Sequence, residues 1–175
     1  MTRCRRGRAG SAHRTSLRAA TCLVVSALLG GCGSPPGPPP VVSRLESTDW
    51  ANTITDLDCS TLNRGIEVLG VEFWDIRARG VRDAFVWVDC FHDTSPWPHQ
   101  LEVFDGSSDP ANPRQMAVLI SAEEGVLIRS VSFVESAVAV DISRYSSSDG
   151  LCCPSINERR TLRWDGSGFA EQGSS

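Results

Sequence analysis

The sequence predicts a mainly β domain, a single antiparallel β-sheet of six or seven short strands, with one short N-terminal helix as its α+β variant. Three observations point there. Apolar alternations of strand length recur at roughly 10-to-15-residue spacing from residue 65 onward. Turn-forming clusters separate them, densest in Asp105-Gly106-Ser107-Ser108-Asp109-Pro110. One segment, Asp83-Ala-Phe-Val-Trp-Val-Asp-Cys90, is apolar on both faces, with Ala84, Val86, Val88 and Cys90 on one side and Phe85 and Trp87 on the other. Two-sided apolarity marks a central strand.

In chain order, Ser47-Thr48-Asp49 can cap a helix from Trp50 to about Leu57. Ile66, Val68, Val71 and Phe73 then alternate toward Trp74-Asp75. After the central strand comes a loop over residues 91–100, with Pro96 and Pro98 around Trp97. Leu101, Val103 and Phe104 make a short strand, and Met116, Val118 and Ile120 another. Residues 126–134 and 137–142 read as a hairpin through Glu135-Ser136. Residues 160–164 alternate once more, and Phe169 supplies a last apolar contact. Trp50, Trp74, Trp87 and Trp164 fall in or near periodic segments and are expected in the core.

Ahead of this domain the chain reads as an address. Residues 1–18 carry six arginines and no acid, and residues 19–29 are uncharged and mostly apolar. A basic start and a short apolar run are the parts of a secretory signal, and ~20 apolar residues would be needed to span a bilayer. Leu29-Gly30-Gly31-Cys32 resembles the lipobox of bacterial lipoproteins. That resemblance implies cleavage before Cys32, diacylglycerol on its sulfur and anchoring on the extracytoplasmic face of the cell membrane. Lipid chains contribute ~0.8 kcal/mol per buried methylene. Arg5-Arg6 leaves a twin-arginine route open beside the general secretory one. The expected organisation is a removed signal over 1–31, a lipidated tether over 32–40 and one domain over 41–175. The tether, Gly33-Ser34-Pro35-Pro36-Gly37-Pro38-Pro39-Pro40, favours extended polyproline II at ~3.1 Å per residue.

Charge excludes one class of partner. All 21 acidic residues lie beyond residue 41, against 11 of the 17 arginines, and the chain has no lysine. A domain near −10 does not favour nucleic acid or an anionic lipid surface as a partner.

Past Cys32 the cysteines are Cys59, Cys90, Cys152 and Cys153. An even number in an exported domain reads as disulfides. A bond between the neighbours Cys152 and Cys153 would strain the intervening peptide, so Cys59 and Cys90 are each expected to pair with one of the two. Loops of roughly 60 to 95 residues would then be closed, for ~4 kcal/mol on the chain-entropy account. No zinc spacing is present.

Two resemblances follow from these residues. Asp75-Ile-Arg-Ala-Arg-Gly80-Val-Arg-Asp83-Ala-Phe-Val resembles the calcium-binding segment of FG-GAP and VCBS-type β repeats. A calcium loop needs oxygen at its first, third and fifth positions. Here those are Asp75, Arg77 and Arg79, so no calcium is expected. A guanidinium of Arg77 or Arg79 should instead stand near the cation position and pair with Asp75 or Asp83, with Gly80 keeping the turn. Cys90, then Glu-Val-Phe-Asp-Gly106, then Cys152-Cys153-Pro154 and Trp164-Asp-Gly166, are together similar to actinobacterial secreted proteins of the LppP/LprE lipoprotein type. The likeness spans roughly residues 66–170. It implies the compartment and the β domain, and no mechanism.

Chemistry-bearing residues crowd one loop: His92, Asp93, Ser95 and His99. Ser95 stands between Thr94 and Pro96, without the glycines of a nucleophile elbow. Two histidines seven apart in a proline-broken loop fix no ligand geometry. Trp97, held between prolines, is the candidate partner contact, with His92 and His99 beside it. The expected function is a membrane-anchored binding or scaffolding module of the cell envelope, with a protein or glycan partner, no cofactor and no catalysis. An envelope hydrolase using the 91–99 loop and a small-ligand-binding lipoprotein are the alternatives.

Overall fold

The computed structural model describes residues 43–59, 65–91, 98–150 and 152–172. Among the described residues, eight antiparallel strands form two four-stranded sheets, each a simple meander. The first holds β1 (Ile66–Trp74), β2 (Asp83–Cys90), β3 (Gln100–Phe104) and β4 (Gln115–Ile120); the second holds β5 (Val126–Val134), β6 (Ala137–Arg144), β7 (Ile156–Trp164) and β8 (Phe169–Glu171). The mainly β, antiparallel expectation stands. The division into two sheets is new, as is β8, whose three residues are too few to show an alternation.

Pleat explains how the layers bury. Along β2 the odd positions face the second sheet and the even ones face away. Phe85, paired with Val103 in β3, therefore enters a core with Leu101 and Ile120 from the first sheet and Val126, Val138, Val140, Ile142 and Leu162 from the second. Ala84, Val86 and Val88 point the other way. That face is covered by a strap of residues 43–58, which sets Leu45, Trp50 and Ile54 on Phe104 and its neighbours. Trp50 meets Phe104 at 4.8 Å between ring centroids. At ~25 cal/mol per Å², each such apolar side chain contributes roughly 1.5–3 kcal/mol when taken from water.

After a 3-10 turn at Leu45–Ser47 the strap holds a single turn of α-helix, α1 (Trp50–Thr53), where a helix to about Leu57 is expected from sequence. The β-branched run Thr53-Ile54-Thr55 disfavours continuation. Asn52 and Thr53 also turn back onto Asp49, at 2.7 Å each, and Ile54 is already extended.

The crossing between sheets is built locally. Ser121 and Glu124 form a capping box around a 3-10 turn at Ala122–Glu124, and Gly125 adopts a left-handed conformation (φ 68°) to start β5.

Candidate functional site

Three places gather functional chemistry. The first is a cleft of about 590 Å³ at one end of the sandwich, where the turn after β1 meets the hairpin between β5 and β6. It is lined by Trp74, Asp75, Ala78, Arg82, Glu135 and Ser136, and its wall is overwhelmingly apolar. Trp74 ends β1 and is 38% exposed, so the expectation that it belongs to the core is corrected. Its pleat position faces the second sheet, but it belongs to the last cross-strand pair of β1 and β2, opposite Asp83, at the rim. Its indole N–H donates to the Glu135 carbonyl at 2.9 Å, and the ring stacks on Phe133 at 5.6 Å between centroids. Phe133 in turn meets the buried Phe85 edge-on at 4.7 Å. An exposed aromatic is thus fixed by one hydrogen bond and by a run of rings leading into the core, which makes a rigid contact surface. Arg82 lends its stem to the wall while its guanidinium pairs with Glu46 of the strap.

The second place is the turn between β1 and β2. Arg77 donates to Asp83 from Nε at 2.9 Å and from Nη2, and the same Nη2 reaches Asp105. Arg79 joins Asp105 at 3.1 Å, and Arg114 pairs with it from the other side. Asp83 and Asp105 are buried, at 0% and 2% exposure. The Asp75 carboxylate accepts from the backbone N–H groups of Arg79 and Gly80, at 2.9 and 2.7 Å. The expected pairing of Arg77 with Asp83 is present, while Asp75 shapes the turn through Gly80 (φ 74°). Asp105 completes the cluster from β3's end, 22 residues past Asp83 in sequence and outside the expected motif. Burial alone would push the Asp105 carboxyl up. Arg77, Ser107 and Arg114 outweigh it and hold the group well below the usual carboxylate range. Burial likewise disfavours the Arg77 cation, and the two carboxylates reverse that and raise its pKa.

The third place lies under the strap, in a polar cleft of about 420 Å³. Register puts Glu102 opposite Val86 and Val118, on the strap face. Its side chain is 1% exposed. The Gln100 amide donates to Glu102 at 2.9 Å and to Asp56 at 3.2 Å. The Gln115 amide donates to the same two carboxylates, at 2.7 and 2.9 Å. Burial, with the Asp56 charge beside it, pushes the Glu102 carboxyl up to about 7 against the pull of the two amides. The four groups fasten the strap to the sheet. Sequence reading passed over Glu102 because alternation with Leu101 and Val103 looks like a solvated strand face. The polar residues Gln100, Glu102 and Gln115 on one face were the available signal.

Of the other expected site residues, Cys32, His92 and Trp97 lie outside the described residues. His99 is half-buried and joins the two sheets: its backbone N–H donates to the Val126 carbonyl and its Nδ1 accepts from the Ile128 N–H, both at 2.9 Å. That places the proton of a neutral ring on Nε2. Among the described residues, no group of three or more His, Cys, Asp or Glu is arranged to hold a metal ion.

The cysteine pairing differs from expectation. Cys59, at the end of the strap, bonds Cys90, at the end of β2, with Cα atoms 5.4 Å apart. Cys152 bonds its neighbour Cys153. The strap crosses the first sheet and brings Cys59 to Cys90, whereas Cys152 and Cys153 sit exposed on the loop between β6 and β7 of the other sheet. Crossed pairing would need the strap's end to leave the face it covers.

No family model matches the chain, and no curated protein or solved structure matches it.

Proposed function

We propose that the chain is a lipid-anchored, extracytoplasmic binding module of the cell envelope, and that it takes an extended segment of an envelope protein into the Trp74 cleft. The observation that carries this reading is the exposed, rigidly held Trp74 ring in an apolar cleft rimmed by acids. Trp74, Ala78 and the Arg82 stem offer contact to an apolar side chain, and Glu135 at the rim offers charge to a basic neighbour. A domain near −10 draws in a basic segment and repels an acidic one. The apolar wall favours a protein side chain over a glycan, which would need hydrogen-bond partners along its length. The Leu29-Gly30-Gly31-Cys32 stretch supports the anchoring, and the tether supports presentation away from the membrane.

The test places a photo-crosslinking residue at Ser136 of the native lipidated protein in intact cells. The expected product is one protein adduct, joined at an apolar residue beside Arg or Lys, lost in Trp74→Ala and retained in Trp74→Phe. An adduct confined to glycan or lipid, or one unchanged by Trp74→Ala, overturns the reading. Cys32→Ser should release the protein from the membrane fraction.

A further inference from the structure

We propose that the Cys152–Cys153 disulfide is a site of thiol–disulfide exchange, opened by an extracytoplasmic dithiol while Cys59–Cys90 stays closed.

The two disulfides differ in what they can do for the fold. A bond between Cys59 and Cys90 spans 31 residues and constrains the unfolded chain. A bond between adjacent residues closes no loop of chain, so it removes no unfolded-state freedom of that kind. Its Cα atoms are 3.8 Å apart, the spacing of neighbours across a trans peptide. Disulfides ordinarily hold Cα atoms at ~4.4–6.8 Å, and departures from that range make the bond easier to reduce. Cys59–Cys90, at 5.4 Å, sits inside the range.

Access differs as well. Cys59 is 7% and Cys90 0% exposed, under the strap. Cys152 and Cys153 are both exposed, so an attacking thiolate meets sulfur without any part of the core opening.

The loop carrying the pair is fastened independently of it. The Asp149 carboxylate accepts from the backbone N–H of Ser146 and of Ser155, each at 2.8 Å, which clasps the loop across its base. The Cys153 N–H donates to the Gly150 carbonyl at 3.1 Å. Opening the S–S bond leaves the Asp149 clasp and every core contact in place. The structure thus combines a bond that is easy to reach and easy to reduce with a fold that does not depend on it.

The exchange balances with a dithiol as reductant. A thiolate of the dithiol attacks one sulfur of the pair, the S–S bond breaks, and the other cysteine leaves as a thiolate that takes a proton from solvent. The second thiol of the reductant then attacks its own sulfur in the mixed disulfide. This closes the reductant's disulfide and frees the second cysteine. Two electrons and two protons pass from the dithiol to Cys152 and Cys153, and the reverse sequence reoxidises them.

The experiment titrates the oxidised, folded protein with dithiothreitol, and separately with reduced thioredoxin as a protein dithiol. Free thiols are then alkylated and mapped by peptide mass spectrometry. Cys152 and Cys153 should be labelled at reductant levels at least tenfold below those that label Cys59 and Cys90. The melting temperature should be unchanged while only that pair is open. A Cys152→Ser/Cys153→Ser double variant should melt with the wild type and leave the low-reductant step absent. Simultaneous opening of both bridges, resistance of the vicinal pair, or a fall in melting temperature on its reduction overturns the proposal.

Discussion

Arg77 forks onto Asp83, its Nε and Nη2 donating to one carboxylate oxygen each. The Arg77 side chain is only 9% exposed and Asp83 is fully buried, so the pair is shielded from salt. Removing the guanidinium takes the fork from the fully buried Asp83, which keeps the Gly106 N–H and Arg79 at 3.9 Å, while Asp105 keeps Arg79 and Arg114. Arg77→Ala should therefore cost about 3–5 kcal/mol in denaturant unfolding, the range for breaking a buried ion pair on one side. Arg77→Lys supplies charge without the fork and should recover part of the loss. Calcium should leave the wild-type melting temperature where it is. A calcium-dependent rise abolished by Asp75→Ala would show instead that the turn binds the ion.

Glu102 makes stability depend on pH in the direction opposite to an ordinary surface acid. Its carboxyl is raised from 4.5 to about 7 in the fold. The stability associated with its proton is fully present below 4.5 and is lost as pH rises through about 7. Glu102→Gln mimics the protonated form at every pH. Its stability relative to wild type should climb by about 2 kcal/mol between pH 5 and pH 8, taking ~1.36 kcal/mol per pKa unit with allowance for partial solvation. Differences between variant and wild type at each pH remove the contributions common to both. A difference that stays flat across that range would show that Glu102 titrates normally.

Backbone packing at the Arg77 cluster gives a sharper substitution. A Cβ on Gly106 would lie 1.7 Å from the Arg82 carbonyl oxygen, and the Gly106 N–H donates to Asp83 at 3.0 Å. Neither the carbonyl nor the buried carboxylate can move freely. Gly106→Ala should cost about 1–3 kcal/mol or more, the scale of overpacking, and should disturb the Arg77 cluster with it. Gly70 is the comparison. Its added Cβ would meet the Trp87 ring at 2.2 Å, a partly buried side chain and not backbone, so Gly70→Ala should cost less. Thermal melts of the two variants side by side check the order.

Local pattern made some of this legible and left the rest hidden. The two-sided apolar run at 84–88 announced the central strand because burial on both faces favours apolar residues there, with the buried Asp83 and Asp89 standing at its two ends. The Arg77–Asp83 pair was foreshadowed by two arginines standing where oxygen ligands belong. Asp105, which completes the cluster, arrives from the far end of β3, and no spacing rule links it to residue 83. Trp74 obeys the strand alternation yet stands at the rim, because burial depends on where a strand ends as well as on which face a residue takes. The disulfides failed for a related reason. Peptide strain argued against neighbours pairing, but the path of the strap, set by Leu45, Trp50 and Ile54 docking on the first sheet, decides which sulfurs meet.

That strap supplies the last prediction. Cys59–Cys90 fixes its C-terminal end to β2, and Arg44 reaches Gly106 from its N-terminal end. Between them, apolar docking and the Asp56–Glu102 fastening hold it over Ala84, Val86, Val88 and Phe104. For a separation of 31 residues the chain-entropy account assigns the disulfide about 3–4 kcal/mol. The double variant Cys59→Ser/Cys90→Ser should lose roughly that much. The loss should appear first as local opening, because the core between the sheets does not include the strap. Amide hydrogen exchange should rise across residues 45–57 and along β1, the edge strand beneath the strap, while β5, β6 and β7 keep wild-type protection. Uniform acceleration over all eight strands would show that strap and sandwich unfold as one unit.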